Sequence, residues 1–446
     1  VEVREYIYDM PLVMAAADLV LCRAGASTIS EITAIAKPAV LVPSPNVAAN
    51  HQEKNARILS DQGAAVLLRE QDCVGNTLYD EAALILREKD RREKMIQALK
   101  NMAVPDASEK IYETLIENFN NSEYAGDYTA ELQFMLSGTG TQSLTDMLVA
   151  AQKANQKNTD YDLVDLSGDD LSKIVSQIGE EALVKLDDSK IPNAEGVSAQ
   201  SSVATDYVQP YRGTTVVLAY DSEKVANPPK TMDELVEWMK ENPGRFAYNA
   251  PGTGGAGDSF ARSSVYNFMP EEAITSDDPK WEDQWDEGFD FLKEIHQYMY
   301  SSGGSIVYPN KNQGTLDLLN QGEIDMCPNW ADMVLSQRAD GTLKDTIKIT
   351  QIDPSFTGSL QSLAIPTFGS NEDGAYAFID YMLSTEAQEL MVKEMAAIPL
   401  VDTGDMDMTG YEDLMDLDVS SFRIMSIGDL STDFNARWDS EIGAIG

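Results

Sequence analysis

The sequence predicts an α/β protein in two unlike parts, a short parallel-sheet segment followed by a larger, two-lobed α/β module. Three observations lead there. At 446 residues the chain exceeds the size at which one core keeps growing, so two or three folding units are expected. Strand and helix patterns alternate on both sides of a polar stretch near residue 120. The charge also steps at that point: residues 1–120 hold 18 acidic and 13 basic side chains, net −5, and residues 121–446 hold 56 and 20, net −36.

The first segment reads as strand Ala17–Cys22, turn Arg23–Thr28, helix Ser30–Ala36, strand Ala39–Pro43 and helix Asn50–Leu59. Lys37-Pro38 ends the first helix, because proline lacks the N–H that would continue it. Strands that alternate with helices in this order form a parallel sheet. From Tyr79 the pattern turns helical and charged, and the run Glu88–Lys94 reads as a solvated face with i,i+4 pairs, ending in a helix over Ala107–Phe119. Residues 120–129 are polar and turn-rich, so the domains are set at 1–119 and 130–446 with 120–129 as linker.

The second part opens with strand Ala130–Leu136, a small polar turn over Ser137–Ser143, helix Leu144–Asn155 and strand Tyr161–Asp165. Thr214–Tyr220 is a strongly apolar strand, and helices follow at Thr231–Asn242, Trp281–Tyr300 and Thr315–Asn320. Strands Ile347–Ile352 and Gly358–Ile365 and helix Gly374–Leu383 complete the pattern. One lobe is expected from about 130–215 with 360–446, the other from about 216–359.

In the first segment a strand, a glycine turn and a helix start bring free backbone N–H groups and the positive end of a helix dipole to Gly25, Ala26, Ser27 and Thr28, which suits a phosphate. Glu31, three residues past Thr28, lies one turn deeper on the same side, where it can accept from ribose hydroxyls. A capped helix whose glutamate is stabilised by the dipole satisfies the same spacing. Beyond spacing, Tyr6-Ile7-Tyr8-Asp9-Met10, Ala16 to Ala26, Ser30-Glu31, Lys37-Pro38-Ala39, Asn50-His51-Gln52, Asn55-Ala56 and Pro105-Asp106-Ala107 resemble the MurG family. These are GT-B-fold transferases that add N-acetylglucosamine from UDP-GlcNAc to lipid I in peptidoglycan synthesis. The resemblance runs from Val1 to about Glu117 and implies a partial Rossmann-like donor subdomain. It also implies that Ile7 faces uracil, Ala26, Ser27 and Thr28 hold the diphosphate, Glu31 takes the ribose and Gln52 reads the sugar. His51 reads as local structure. Nothing in the sequence matches that family's acceptor domain or catalytic histidine, so the expectation is no transferase activity and at most weak UDP-GlcNAc affinity.

In the second part Ser137-Gly138-Thr139-Gly140-Thr141 and Pro251-Gly252-Thr253-Gly254-Gly255-Ala256-Gly257-Asp258-Ser259 offer hydroxyls and amides at helix starts, and neither is a P-loop. Two such loops flanking a long strand suggest a cleft closed from both sides. Val216 to Thr231, Glu237-Trp238, Asn242 to Phe246 and Ala375 to Met391 resemble bacterial extracellular solute-binding proteins of ABC transporters, which have the type II periplasmic-binding fold. By that resemblance the cleft is lined by Ser137, Thr139, Thr141, Tyr211, Arg212, Thr253, Gly255, Asp258, Ser259, Asn329, Trp330 and Asp332. Arg212 favours an anionic group and Asp332 a cation or amine. Ala130 aligns with the second strand of that fold's first lobe, so this lobe is expected to be weakened or patched by foreign sequence.

Function classes narrow accordingly. A net charge of −41 opposes nucleic acid and anionic membranes as partners. Cys22, Cys73 and Cys327 stand too far apart for a disulfide framework or a zinc site, and no cofactor or metal is indicated. The opening residues lack a signal-peptide pattern, and no apolar run reaches the roughly 20 residues of a membrane span. A binding protein that captures a small polar or charged solute, partnered by an ABC permease, accounts for most of the chain. The alternatives are an N-acetylglucosaminyltransferase reading from the first segment, and joined reading frames or an engineered fusion without joint function. The parent families work on opposite sides of a membrane, one cytoplasmic and one extracellular, so localisation stays open.

Overall fold

The structure is a computed structural model that describes residues 10–45, 51–102, 107–133, 144–157, 161–199, 201 and 203–445. It divides into two compact units, Val1–Ser108 and Glu109–Gly446.

In the first unit α1 (Met10–Ala16), β1 (Val20–Cys22), α2 (Ala26–Ala34), β2 (Ala39–Leu41), α3 (His51–Asp61), β3 (Ala65–Leu67), α4 (Thr77–Arg87) and α5 (Lys89–Met102) follow one another. The strands form the expected parallel sheet in the order β1-β2-β3. Central β2 is fully buried because its residues face two cores. Ala39 and Leu41 pack with Ile32, Leu59 and Leu99, while Val40 packs with Ile85 and Met95. An unbroken apolar triplet is what a strand covered on both faces requires.

The second unit starts inside α6 (Ala107–Asn121), from Glu109 onward. Next come α7 (Leu144–Lys153), β4 (Val164–Ser167), α8 (Gly168–Ile178), β5 (Val208–Asp221), α9 (Met232–Glu241), α10 (Gly255–Tyr266) and α11 (Asp286–His296). A small hairpin, β6 (Ser301–Ser302) and β7 (Ser305–Ile306), precedes α12 (Lys311–Gln321), β8 (Met326–Trp330), α13 (Ala331–Ala339), β9 (Ile347–Thr350) and β10 (Thr357–Ala364). Then follow α14 (Glu372–Met382), α15 (Thr385–Met395), β11 (Ile398–Pro399), β12 (Arg423–Ile424) and α16 (Leu430–Glu441).

Strand β5 organises this unit. Residues Val208–Thr215 pair antiparallel with β10, which also carries β4, and Val216–Asp221 pair with β8 and β9. One strand therefore threads both lobes, and it is longer than its apolar stretch alone suggests. The first lobe is built from α6, α7, α8, α14 and α15 around β4 and β10. The second gathers α9 to α13 around β8 and β9.

Two expectations change. The assignment of 360–446 to the first lobe fails for the C-terminal helix: Phe434 and Trp438 of α16 are buried with Tyr248, Trp285 and Phe289 in the second lobe, and Trp438 Nε1 donates to Tyr248 Oη at 3.0 Å. An aromatic face of that size seats only where matching rings wait for it. No strand forms over Ala130–Gln133, and the rest of the expected strand lies outside the described residues. In its place α6 covers the first lobe. Leu115 and Phe119 are buried there, and the Phe119 ring lies 5.0 Å from Phe378 and 5.5 Å from Tyr381. Asn120 bonds both backbone groups of Ala130, donating at 2.9 Å and accepting at 2.7 Å.

Candidate functional site

In the first unit the strand ends and helix starts meet as a parallel sheet dictates. Helix α2 begins at Ala26 after N-cap Gly25, and its first intrahelical bond runs from Ile29 N to Gly25 O. The amides of Ala26, Ser27 and Thr28 therefore have no partner within the helix, the arrangement that attracts phosphate. Asn55 of α3 donates to Ala24 O at 3.2 Å, holding α3 beside this turn. Gln52, one turn earlier on α3, accepts from Ser44 N at 2.9 Å, so its carbonyl oxygen is already used in shaping the loop after β2. Thr28 and Glu31 are half-buried on α2. Ile7 lies outside the described residues.

In the second unit a β-bulge sits where β5 passes along β10: Gln361 pairs with Arg212 and Ser362 with Pro210, leaving Tyr211 as the extra residue. A bulge re-aims side chains at this point. Tyr211, fully buried, donates from Oη to Asp165 Oδ2 at 2.9 Å, and the Arg212 guanidinium lies over its ring at 5.7 Å. Tyr112 of α6 completes the centre. Its hydroxyl donates to Asp165 Oδ2 at 3.1 Å, lies 2.8 Å from Tyr211 Oη and accepts from Arg212 Nη2 at 3.3 Å. Arg212 Nε donates to Tyr211 Oη at 3.3 Å.

Burial holds Asp165 above the usual carboxylate range, with Arg212 opposing it, and burial likewise raises both phenols. Burial works against the Arg212 charge, but Tyr211, Tyr112 and Asp165 outweigh it and its pKa rises. Two residues along, Thr214 Oγ1 donates to Asp332 Oδ1 at 3.1 Å, which joins β5 to the first turn of α13. Burial raises Asp332 as well, and Arg212 is among the groups that pull it down. Arg212, Thr214 and Asp332 thus meet where β5 passes from one lobe to the other, with Trp330 as the N-cap residue of α13.

The remaining predicted residues that the structure describes make hydrogen bonds and packing contacts within the protein. Asp258 Oδ1 accepts from Arg262 at 2.8 Å and from Asn435 at 3.2 Å, and its Oδ2 takes Gly252 N at 2.9 Å. Ser259 is buried against Thr357, accepting from its N at 2.9 Å. Asn329 is buried and saturated, donating to Asn312 O and Thr315 Oγ1 while it accepts from Trp330 N. Thr253 Oγ1 donates to Ala250 O at 2.6 Å and accepts from Lys311 N at 3.1 Å. Gly255 is required by packing, since a Cβ there would stand 2.8 Å from Trp330 Cζ2. Ser137, Thr139 and Thr141 lie outside the described residues. Sequence reasoning missed Asp165, Tyr112 and Thr214. Asp165 was read only as the end of a strand, and nothing local marked Tyr112.

Comparison with known proteins fits this division. The family described as bacterial extracellular solute-binding protein matches residues 123–403, and the glycosyltransferase family 28 C-terminal domain matches residues 1–111. Over 126 residues the chain is 44% identical to the UDP-N-acetylglucosamine–N-acetylmuramyl-(pentapeptide) pyrophosphoryl-undecaprenol N-acetylglucosamine transferase of Acetivibrio thermocellus, covering 28% of this chain and 34% of that one. The enzyme of the same name from Anaeromyxobacter sp. (strain K) is 47% identical over 116 residues, 26% of this chain and 30% of that one. The chain thus spans about a third of the length of the curated transferases it matches. Among solved structures, an ABC transporter protein from Clostridium perfringens superposes with a TM-score of 0.53 at 17% identity, covering 75% of this chain and 97% of that one. The spermidine/putrescine substrate-binding protein PotD of Streptococcus pneumoniae gives 0.51 at 15% identity, with 74% and 95% covered. Iron- and citrate-bound IdiA (FutA) of Trichodesmium gives 0.52 at 13%, with 74% and 96% covered. Identities this low establish the fold alone. Because one family's span takes in well over half of its residues, the chain belongs to the bacterial extracellular solute-binding proteins.

Proposed function

We propose that the second unit captures a small polar or charged solute between its two lobes and delivers it to an ABC-type importer permease. The observation that carries this reading is the placement of Arg212 and Asp332, opposite charges on two lobes, tied through Thr214 at the crossing of β5. A solute bridging them gains contacts only when the lobes come together, which is how hinge closure is driven. Trp330, half-buried at the N-cap of α13, adds flat apolar surface beside the charges. The test is calorimetric titration of the full chain with polyamines, thiamine, inorganic oxyanions and sugars, repeated on Arg212→Gln and Asp332→Asn. The expected result is one class of ligand whose affinity falls at least about tenfold in one of these variants, the loss of a charge-assisted hydrogen bond. A ligand that binds all three proteins equally sinks the assignment of the cleft.

A second reading concerns the first unit. The three amides at the start of α2 support weak retention of UDP-GlcNAc by Ala26 to Thr28, with Glu31 on the ribose and Gln52 near the sugar, without sugar transfer. Micromolar affinity for UDP-GlcNAc in the full chain, or release of UDP when lipid I is supplied, would refute it.

A further inference from the structure

A cavity walled by described residues of β4, α6 and α14 lies in the first lobe, apart from the Arg212–Asp332 crossing. It has a volume of about 480 Å³, inside the range of small-molecule sites. Its wall combines the Tyr112, Tyr128 and Phe378 rings with the Glu131, Asp162 and Asp165 carboxylates, and no lysine, arginine or histidine lines it. Arg212, bonded to the lining residue Tyr112, spends its Nε and Nη2 on the two phenols. Three carboxylates against one guanidinium leave the region negative in a part of the chain that is already strongly acidic.

The carboxylates are not equally occupied. Asp162 Oδ1 accepts from Ser370 N at 2.6 Å and Asn371 N at 2.8 Å, fixing the loop that closes the cavity before α14. Asp165 Oδ2 takes both phenols, whereas its Oδ1 is out of reach of solvent and has no hydrogen-bond partner. Because nothing in the cavity touches Oδ1, Asp165 acts on a cation there through its charge rather than a direct hydrogen bond, and a dry wall screens that charge less than water does. Aromatic faces attract a cation in the same way, most strongly when it is desolvated.

We propose that this cavity binds a small organic cation, its ammonium group seated between the Tyr112, Tyr128 and Phe378 rings and facing Asp165, with Glu131 and Asp162 at the rim. It is a site separate from the cleft between the lobes.

The test uses the full chain, with choline as the charged probe and its uncharged isostere 3,3-dimethylbutan-1-ol as the control, both followed by calorimetry. Choline is expected to bind, and the isostere at least about tenfold more weakly, the difference that a desolvated cation–aromatic contact supports. Glu131→Gln and Phe378→Leu, checked for an unchanged tryptophan fluorescence spectrum, should each weaken choline several-fold, while Asp332→Asn does not. Equal binding of the two probes overturns the proposal, as does absence of choline heat at millimolar concentration in the folded protein. Loss of the choline response in Asp332→Asn with retention in Glu131→Gln also overturns it, since that would place the cation in the cleft. A solute lost with Arg212→Gln while choline binding persists separates this proposal from the reading of the cleft.

Discussion

Replacing Phe119 with alanine tests whether α6 belongs to the solute-binding unit or merely leads into it. The side chain is 1% exposed and its ring meets Phe378 at 5.0 Å and Tyr381 at 5.5 Å, both edge-on. Truncating a buried phenylalanine costs about 3–5 kcal/mol, and two aromatic pairs place this site toward the upper end. With a urea slope of about 3 kcal/mol/M for a unit of this size, the midpoint should fall by about 1.3–1.7 M. The readout is selective, because all five tryptophans, Trp238, Trp281, Trp285, Trp330 and Trp438, lie in the second unit. The transition of the first unit is therefore silent in tryptophan fluorescence. A Phe119→Ala midpoint indistinguishable from that of the parent chain would refute the packing of α6 as part of the lobe. A lowered midpoint that also appears in Leu59→Ala, a core change confined to the first unit, would show that the readout does not isolate the second.

Other changes probe the remaining claims. Gly257→Ala places a Cβ 1.8 Å from the backbone oxygen of Asn249, which no rotamer change can relieve, so the same tryptophan-detected melt should lose at least the upper end of the about 1–3 kcal/mol typical of overpacking. Asn329→Ala strips donors from Asn312 O and Thr315 Oγ1 and the acceptor from Trp330 N, and should cost about 2–3 kcal/mol in urea melts while leaving any solute's affinity for the folded protein within a few-fold. Burial raises the Asp332 pKa, so the folded state holds this proton more tightly than the unfolded chain and the residue's contribution to stability declines as pH rises from the unfolded carboxylate range toward the raised value. Asp332→Asn removes that decline. The stability difference, variant minus parent, should therefore grow more favourable to the variant from about pH 4 upward in melts, and a flat difference would contradict the assignment.

Much of the scaffold was legible, because its signals are local. The Ala39-Val40-Leu41 triplet announced a strand buried on two faces, and Lys37-Pro38 announced the end of a helix. Paired long strands in the second part were visible as apolar runs. What escaped depends on distant partners. Asp258 looked like a ligand group beside a glycine loop, yet its ion-pair partner Arg262 was visible at i+4, while the further donor Asn435 stands 177 residues away. Asn329 and Ser259 are polar residues in apolar surroundings, a pattern that marks a site and a buried structural bond equally well. Tyr112 could not be found at all, since its role is defined by Asp165 and Tyr211, 53 and 99 residues on.

The polar centre around Arg212 also bears on why these residues are present. A buried ion pair is seldom the most stable filling for a core, and apolar side chains of equal volume would usually serve folding better. Here Asp165 shares one oxygen between two phenols, leaves the other unpartnered, and is kept from a direct bond to Arg212 by the hydroxyls between them. Asp258, by contrast, has both of its oxygens bonded. Other buried polar atoms also lack a partner, Asn249 Oδ1, Gln361 Oε1 and Ser362 Oγ among them, but Asp165 Oδ1 belongs to a carboxylate beside the strand that joins the lobes, and Asp165 also lines the acidic cavity. Departures from polar satisfaction concentrate where a protein keeps bonding capacity for something other than itself. Asp165, a residue that sequence reading passed over as part of a strand, is therefore the first position to substitute: Asp165→Asn leaves the buried Arg212 charge without its carboxylate and should cost about 3–5 kcal/mol in urea melts, and parental stability in that variant would refute the pairing.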